Sequence, residues 1–135
     1  MFRKISHVGL AVKNLDRAIQ FYQDVLRMKV SGRKKVESQG VEMAFVDVGG
    51  SAQLELIAPL REDGSVARFI EKRGPGIHHI CVEVEDIEKE IAHLRDNGVT
   101  MIDQEPRTGA GGDRIAFIHP KSMIGALIEL KEVKK

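Results

Sequence analysis

The chain repeats itself, and this repeat limits what it can fold into more than any other feature. A shift of 72 residues lays HVGLAVKNLDRAI (7–19) on HICVEVEDIEKEI (79–91), so that His7 meets His79, Val12 meets Val84, Leu15 meets Ile87 and Ile19 meets Ile91. The same shift carries Met43-Ala44-Phe45 onto Ile115-Ala116-Phe117. At the end of each half Leu54-Glu55-Leu56 falls on Ile128-Glu129-Leu130, now with a shift of 74, so two extra residues lie between the last two strand-like stretches. Self-similarity in hydrophobic pattern and in element order points to a tandem duplication of modules of roughly 65 residues. The first module covers about 1–60, a connecting helix and linker about 61–76, and the second module about 77–135. Gly74-Pro75-Gly76 is the natural joint, because neither residue type sustains a helix or a strand.

Both modules read as βαβββ, an α+β pattern. Residues 5–12 alternate, with Val8, Leu10 and Val12 on one face and His7, Gly9 and Ala11 on the other. Asn14 can cap a helix whose apolar stripe is Leu15, Ile19, Tyr22 and Leu26. Strands are expected at about 29–36, 41–48 and 52–58. Ser65 is the expected cap of a short connecting helix running to about Lys72. The second module repeats the order: a strand at 78–84, a cap at Asp86, and a stripe of Ile87, Ile91 and Leu94. Gly98 suits the left-handed position that ends a helix, and strands are expected near 99–103, 114–119 and 125–131.

Strand parity carries the functional argument. The branched apolar side chains of the first strand of each module must face the helix, so His7 and His79 face the other side of the sheet. If Gly49-Gly50 forms a two-residue turn, partners in the hairpin have numbers that sum to 99. Ala44 then sits opposite Glu55, with Glu42 diagonal to it on the face of His7, while Met43, Phe45, Leu54 and Leu56 turn to the helix. In the second module the two inserted residues preserve parity, so Glu129 shares the face of His79 and Arg114 stands where Glu42 stood. The repeat thus yields two His/Glu pairs, His7 with Glu55 and His79 with Glu129. Two imidazoles and two carboxylates form a suitable donor set for a divalent transition metal. A glutamate inside LELIA or LIEL is costly to bury without a cation or hydrogen-bond partners.

Composition excludes other classes. Hydrophobic residues at 42% and charged residues at 30% support a packed core. With 21 Lys and Arg against 20 Asp and Glu, the net charge of +1 gives no basic excess for a nucleic-acid partner. One cysteine, Cys81, excludes an internal disulfide and points to a reducing, cytoplasmic setting, with the side chain as small buried filler. No apolar run is long enough to span a bilayer, and MFRKISHVGLAV reads as a strand rather than a secretory signal.

The stretches HVGLAVKNLDRAIQFYQDVL, QLELIAPL, GIHHICVEVEDI, EPRTGAGGDRIAFIHPK and GALIEL, spread along essentially the whole length, resemble the vicinal-oxygen-chelate superfamily and, within it, the methylmalonyl-CoA epimerases. The resemblance implies tandem modules forming a cupped, barrel-like mixed sheet with helices on its outer face. It implies one divalent ion (cobalt, manganese, nickel, zinc or iron) at His7, Glu55, His79 and Glu129, an acyl-CoA substrate and a homodimer. Some members carry Gln at the position of Glu55. The implied reaction interconverts (2R)- and (2S)-methylmalonyl-CoA by removal of the α-proton through a metal-stabilised enolate. Glu42 and Glu129 are the expected acid/base pair. Arg114, His119 and Lys121 are candidate substrate contacts, against the readings of a surface ion pair for Arg114 and a plain hairpin loop for the other two. Gly109, Gly111 and Gly112 lack the rest of a phosphate-loop motif and read as a flexible or tight hairpin, with close approach of their backbone to the substrate as the alternative; His78 reads as structural and the Lys131-Lys134-Lys135 tail as solvated. Competing readings are a lactoylglutathione lyase (glyoxalase I)-like enzyme and, from another class, a non-catalytic binding protein of the bleomycin-resistance type.

Overall fold

The structure is a computed structural model that describes residues 2–123 and 125–133; the Lys134-Lys135 end of the expected solvated tail lies outside the described residues. The chain divides into two compact units, one of residues 7–78 and the other of residues 79–135 together with 1–6. The cut falls close to the repeat boundary, with one difference: the first residues of the chain group with the second unit. Arg3 donates to the Glu85 carboxylate there at 2.9 Å.

In the first unit the sheet order is β2 (Lys29–Val36), β3 (Val41–Asp47), β4 (Gln53–Pro59), β1 (Phe2–Ala11). Residues 7–11 of β1 run parallel to β4, and the other two neighbouring pairs are antiparallel. Asn14 caps α1 (Leu15–Gln20) as expected, its side chain accepting from the Arg17 N–H at 3.0 Å. The helix then widens into a π turn, Phe21–Val25, closed by a bond from the Leu26 N–H to the Phe21 carbonyl at 3.1 Å. Leu15 of α1 packs on Ala44 and Val46 of β3 and on Leu56 and Ala58 of β4, all buried. The connecting helix α2 (Ser65–Arg73) forms where expected, but Ser65 is its first residue; Gly64 holds the cap position and offers no side-chain bond.

The hairpin register corrects the expected turn. Partners sum to 100, not 99: Phe45 faces Glu55, Ala44 faces Leu56 and Glu42 faces Ala58. Asp47 pairs with Gln53, so the connection occupies residues 48–52. The Asp47 carboxylate accepts from the Gly49 N–H at 2.8 Å, and Gly49 takes φ 79°, so the chain leaves the ladder before the two glycines. The one-residue change turns β3 over. Ala44 and Val46 enter the core against α1, and Met43 and Phe45 take the face expected for Glu42.

In the second unit the sheet order is β5 (Gly76–Val84), β8 (Ile128–Glu132), β7 (Arg114–Ile118), β6 (Arg107–Thr108). Asp86 caps α3 (Ile87–Asp96) by accepting from the Lys89 N–H at 3.2 Å, and Gly98 takes φ 84° just past the helix. Ile87 and Ile91 pack with Val84, Ala116, Ile118 and Leu130. The strand expected at 99–103 reduces to a single bridge between Met101 and Ile118. Asp103 explains the interruption: its side chain, not a neighbouring backbone, accepts the Phe117 N–H at 2.8 Å. The pairing strand on that edge is β6 instead. Among the described residues no helix is long and apolar enough to cross a membrane.

Candidate active site

The parallel pairing of β1 with β4 sets Gly9 beside Glu55 and His7 beside Gln53, so odd-numbered residues of both strands share one face. The faces of Val8 and Leu56 are used by α1, which leaves His7 and Glu55 on the opposite side. The His7 Nδ1 lies 3.1 Å from Glu55 Oε2. His7 is 7% exposed and Glu55 9%. In the second unit Cys81 pairs with Glu129 and Phe117 pairs with Glu129 from the other side. His79 therefore shares the face of Glu129, and its Nε2 lies 3.2 Å from Glu129 Oε1. These two are 7% and 8% exposed. Each expected His/Glu pair thus forms inside its own unit, buried and in contact.

A carboxylate removed from water needs a cation or several donors. Neutral imidazole and carboxylate oxygen together are the donor types that borderline divalent metals prefer. A divalent ion fits this chemistry. The ladder also sets a phenylalanine beside each carboxylate, Phe45 by Glu55 and Phe117 by Glu129. The Phe117 ring meets the His79 ring edge-on with centroids 6.0 Å apart. Each phenylalanine thus shares the face of the carboxylate it pairs with.

Glu42 does not join them. Its carboxylate accepts from Arg33 Nε at 2.7 Å, and the same guanidinium donates to Asp16 at the start of α1. The bond to Glu42 first, then that to Asp16, raises the Arg33 pKa above its ordinary value. Glu42 thus belongs to an ion pair on the helix face, away from His7. Arg114 behaves in the same way. It donates to Glu88 of α3 at 2.8 Å and to Glu132 Oε1 at 3.3 Å, while Glu132 Oε2 accepts the Ile87 N–H at 3.0 Å. The structure places Arg114 as an anchor of α3, not on the face of His79; the ion-pair reading holds for it.

His119 and Lys121 lie exposed at the turn after β7, where His119 Nδ1 accepts the Lys121 N–H at 3.1 Å. Gly109 sits in a tight hairpin, its N–H donating to the Asp113 carbonyl at 2.8 Å, and a Cβ there would come within 2.9 Å of Ile115. His78 packs edge-on against Phe69 at 5.1 Å, and Cys81 is fully buried. Phe117, Arg107 and Asp103 escaped the sequence reading. Phe117 had a signal, since the 72-residue shift places it on Phe45. Arg107 had none, because β6 was not anticipated and its parity could not be read. Its guanidinium lies 5.3 Å above the Phe117 ring, and its Nε donates to Asp103 at 2.9 Å.

Residues 6–117 match the model of the Glyoxalase/Bleomycin resistance protein/Dioxygenase superfamily. An ethylmalonyl-CoA/methylmalonyl-CoA epimerase of Cereibacter sphaeroides is 36% identical, across 98% of this chain and 100% of its own. The human mitochondrial methylmalonyl-CoA epimerase is 35% identical, across 96% of this chain and 73% of its own. The crystal structure of methylmalonyl-CoA epimerase from Mycobacterium tuberculosis superposes with a TM-score of 0.88 at 42% identity, covering 96% of this chain and 87% of that one.

Proposed function

The chain belongs to the Glyoxalase/Bleomycin resistance protein/Dioxygenase superfamily, and from that premise we propose that it is a metal-dependent epimerase of methylmalonyl-CoA. The observation that carries this reading is the duplicated buried His/Glu pair on a chain 35% and 36% identical to two named epimerases. We assign His7, Glu55, His79 and Glu129 as ligands of one divalent ion, for which cobalt, manganese, nickel, zinc and iron all suit the mixed N/O set. When bound, that ion supplies Lewis-acid stabilisation of the negative charge that develops on the thioester oxygen.

The residues themselves handle the proton. Inverting a carbon acid requires a proton carrier on each face of the planar carbanion. With Glu42 held by Arg33 on the helix side, the buried carboxylate that the first unit presents beside His7 is Glu55. We therefore assign proton transfer to Glu55 and Glu129, and Glu42 to structure. Phe45 and Phe117 pair directly with these two glutamates in their ladders and so stand on the same face beside them. The exposed His119 and Lys121 are kept as candidate substrate contacts in this reading, and a homodimer is the expected assembly.

Deuterium incorporation at C2 of methylmalonyl-CoA in D2O, with and without a chelator, tests substrate, mechanism and metal together. Exchange that a chelator stops and an added divalent ion restores is the expected result. Turnover of the methylglyoxal–glutathione hemithioacetal without any exchange into methylmalonyl-CoA would replace this reading with a lactoylglutathione lyase. Absence of both reactions and of any bindable ion would leave a non-catalytic binding protein.

A further inference from the structure

Arg107 differs from the other arginines of the site's neighbourhood in what its guanidinium is doing. Arg33 and Arg114 each span two carboxylates. Arg107 uses only its inner nitrogen: Nε donates to Asp103 Oδ1 at 2.9 Å. Its Cζ lies over the Phe117 ring, 5.3 Å from the ring centre. Asp103 is itself fixed, because its other oxygen holds the Phe117 N–H at 2.8 Å. Among the described residues nothing accepts from Arg107 Nη1 or Nη2, and half of the side chain is exposed at 50%. The strand pairing of Arg107 with Ile115 puts it on the face that carries Phe117, His79 and Glu129.

An arginine fixed through Nε and by stacking has already lost most of its rotamer freedom. Its outer two nitrogens form a ready fork for two oxygens of one anion. The geometry points to Arg107 as the substrate-anion clamp of this site, taking a carboxylate or a phosphate of an acyl-CoA thioester in a bidentate grip. The inference rests on the acyl-CoA reading above for the identity of the substrate. Phe117 links the clamp to the metal-ligand candidate His79 through two ring contacts, so an anion gripped at Arg107 is positioned relative to the reacting centre. The first unit has no equivalent: the ring of Phe45 is approached by the backbone of Gly32, where a Cβ would come within 3.1 Å of it.

The test measures binding, so that it does not depend on turnover. The dissociation constants of malonyl-CoA and of malonyl-pantetheine, which lacks the phosphates of CoA, are determined by calorimetry for the wild type, Arg107→Gln and Arg107→Lys. Arg107→Gln is expected to weaken malonyl-CoA roughly 10- to 100-fold, as for loss of a charged hydrogen-bond pair. Arg107→Lys restores part of the loss, since a point charge cannot fork. A loss confined to malonyl-CoA identifies a phosphate as the anion; an equal loss on both thioesters identifies the carboxylate. An unchanged constant for both ligands in Arg107→Gln, or a wild type that binds neither, would overturn the clamp. Failure of the epimerase reading shows separately, as a wild type that binds malonyl-CoA but exchanges no deuterium into methylmalonyl-CoA. Because Arg107 lies half-exposed on a two-residue edge strand, unchanged thermal melts are expected of both variants.

Discussion

The two units carry the same pair of chemical groups but present them differently. In the first, His7 turns Nδ1 to its glutamate; in the second, His79 turns Nε2. Both helices are capped by the side chain just before them, Asn14 or Asp86. Both helix starts are also tied to the sheet by an arginine between two carboxylates, yet the donors are shuffled. In the first unit the arginine comes from β2 and reaches Glu42 of β3. In the second it comes from β7 and reaches Glu132 of β8, which also takes a backbone N–H of α3. A duplicated scaffold therefore keeps the buried His/Glu pairs on fixed positions and lets the helix anchors wander between strands. Glu42 and Arg114, which match under the 72-residue shift, are both anchors of this wandering kind.

If the two pairs serve one ion, they must fail alike. His7→Ala and His79→Ala should each lower deuterium exchange about 1,000-fold or more, because each removes a ligand of an ion that supplies several kcal/mol to the developing charge. Chelation should do the same, and metal content measured on each variant should fall with it. A variant in only one unit that loses exchange while the other keeps it would break the equivalence. Next in size, Glu55→Gln and Glu129→Gln should each cost about 100- to 10,000-fold in the same assay, the range of a lost acid/base group. Glu42→Gln should stay within about threefold of wild type, and a large loss there would return it to the chemistry.

The cores offer a comparison independent of function. Leu56 and Leu130 are both fully buried and sit at corresponding places in β4 and β8. Truncation to alanine at either should destabilise by about 2–5 kcal/mol in denaturant unfolding. The smallest difference concerns the anchors. Arg33→Ala breaks pairs of a side chain that is 45% exposed, and water and salt screen them, so its denaturation midpoint should stay close to that of the wild type. Glu132→Ala removes a buried acceptor of a helix N–H and should cost about 1–2 kcal/mol. Equal losses at the two positions would mean that the second anchor gains nothing from its backbone bond.

Most of the architecture was legible because the duplicated strands and helices are strongly periodic. Helix caps, the βαβββ order and the shared face of each His/Glu pair all follow from alternation and spacing. The face of β3 was not legible, and its composition says why. Val41 and Met43 on one side and Ala44 and Val46 on the other are all buried, so hydrophobicity does not choose a side. Only the turn could decide, and the turn depends on a side-chain bond from Asp47 that no periodicity reveals. Arg114 was misplaced by the same reasoning, since it was located by analogy with Glu42. Arg107 and Asp103 were missed because a side chain replaces a strand there, which a pattern of apolar residues does not record.

The connection over residues 48–52 has a consequence for descent. A strand apolar on both faces can be turned over without leaving the core short of hydrocarbon. A one-residue slip of β3 at that connection would exchange Met43 for Glu42 on the face of His7, with no substitution anywhere in the strand. The geometry of a surface connection is thus an inheritable selector of which β3 side chain stands beside the buried His7/Glu55 pair.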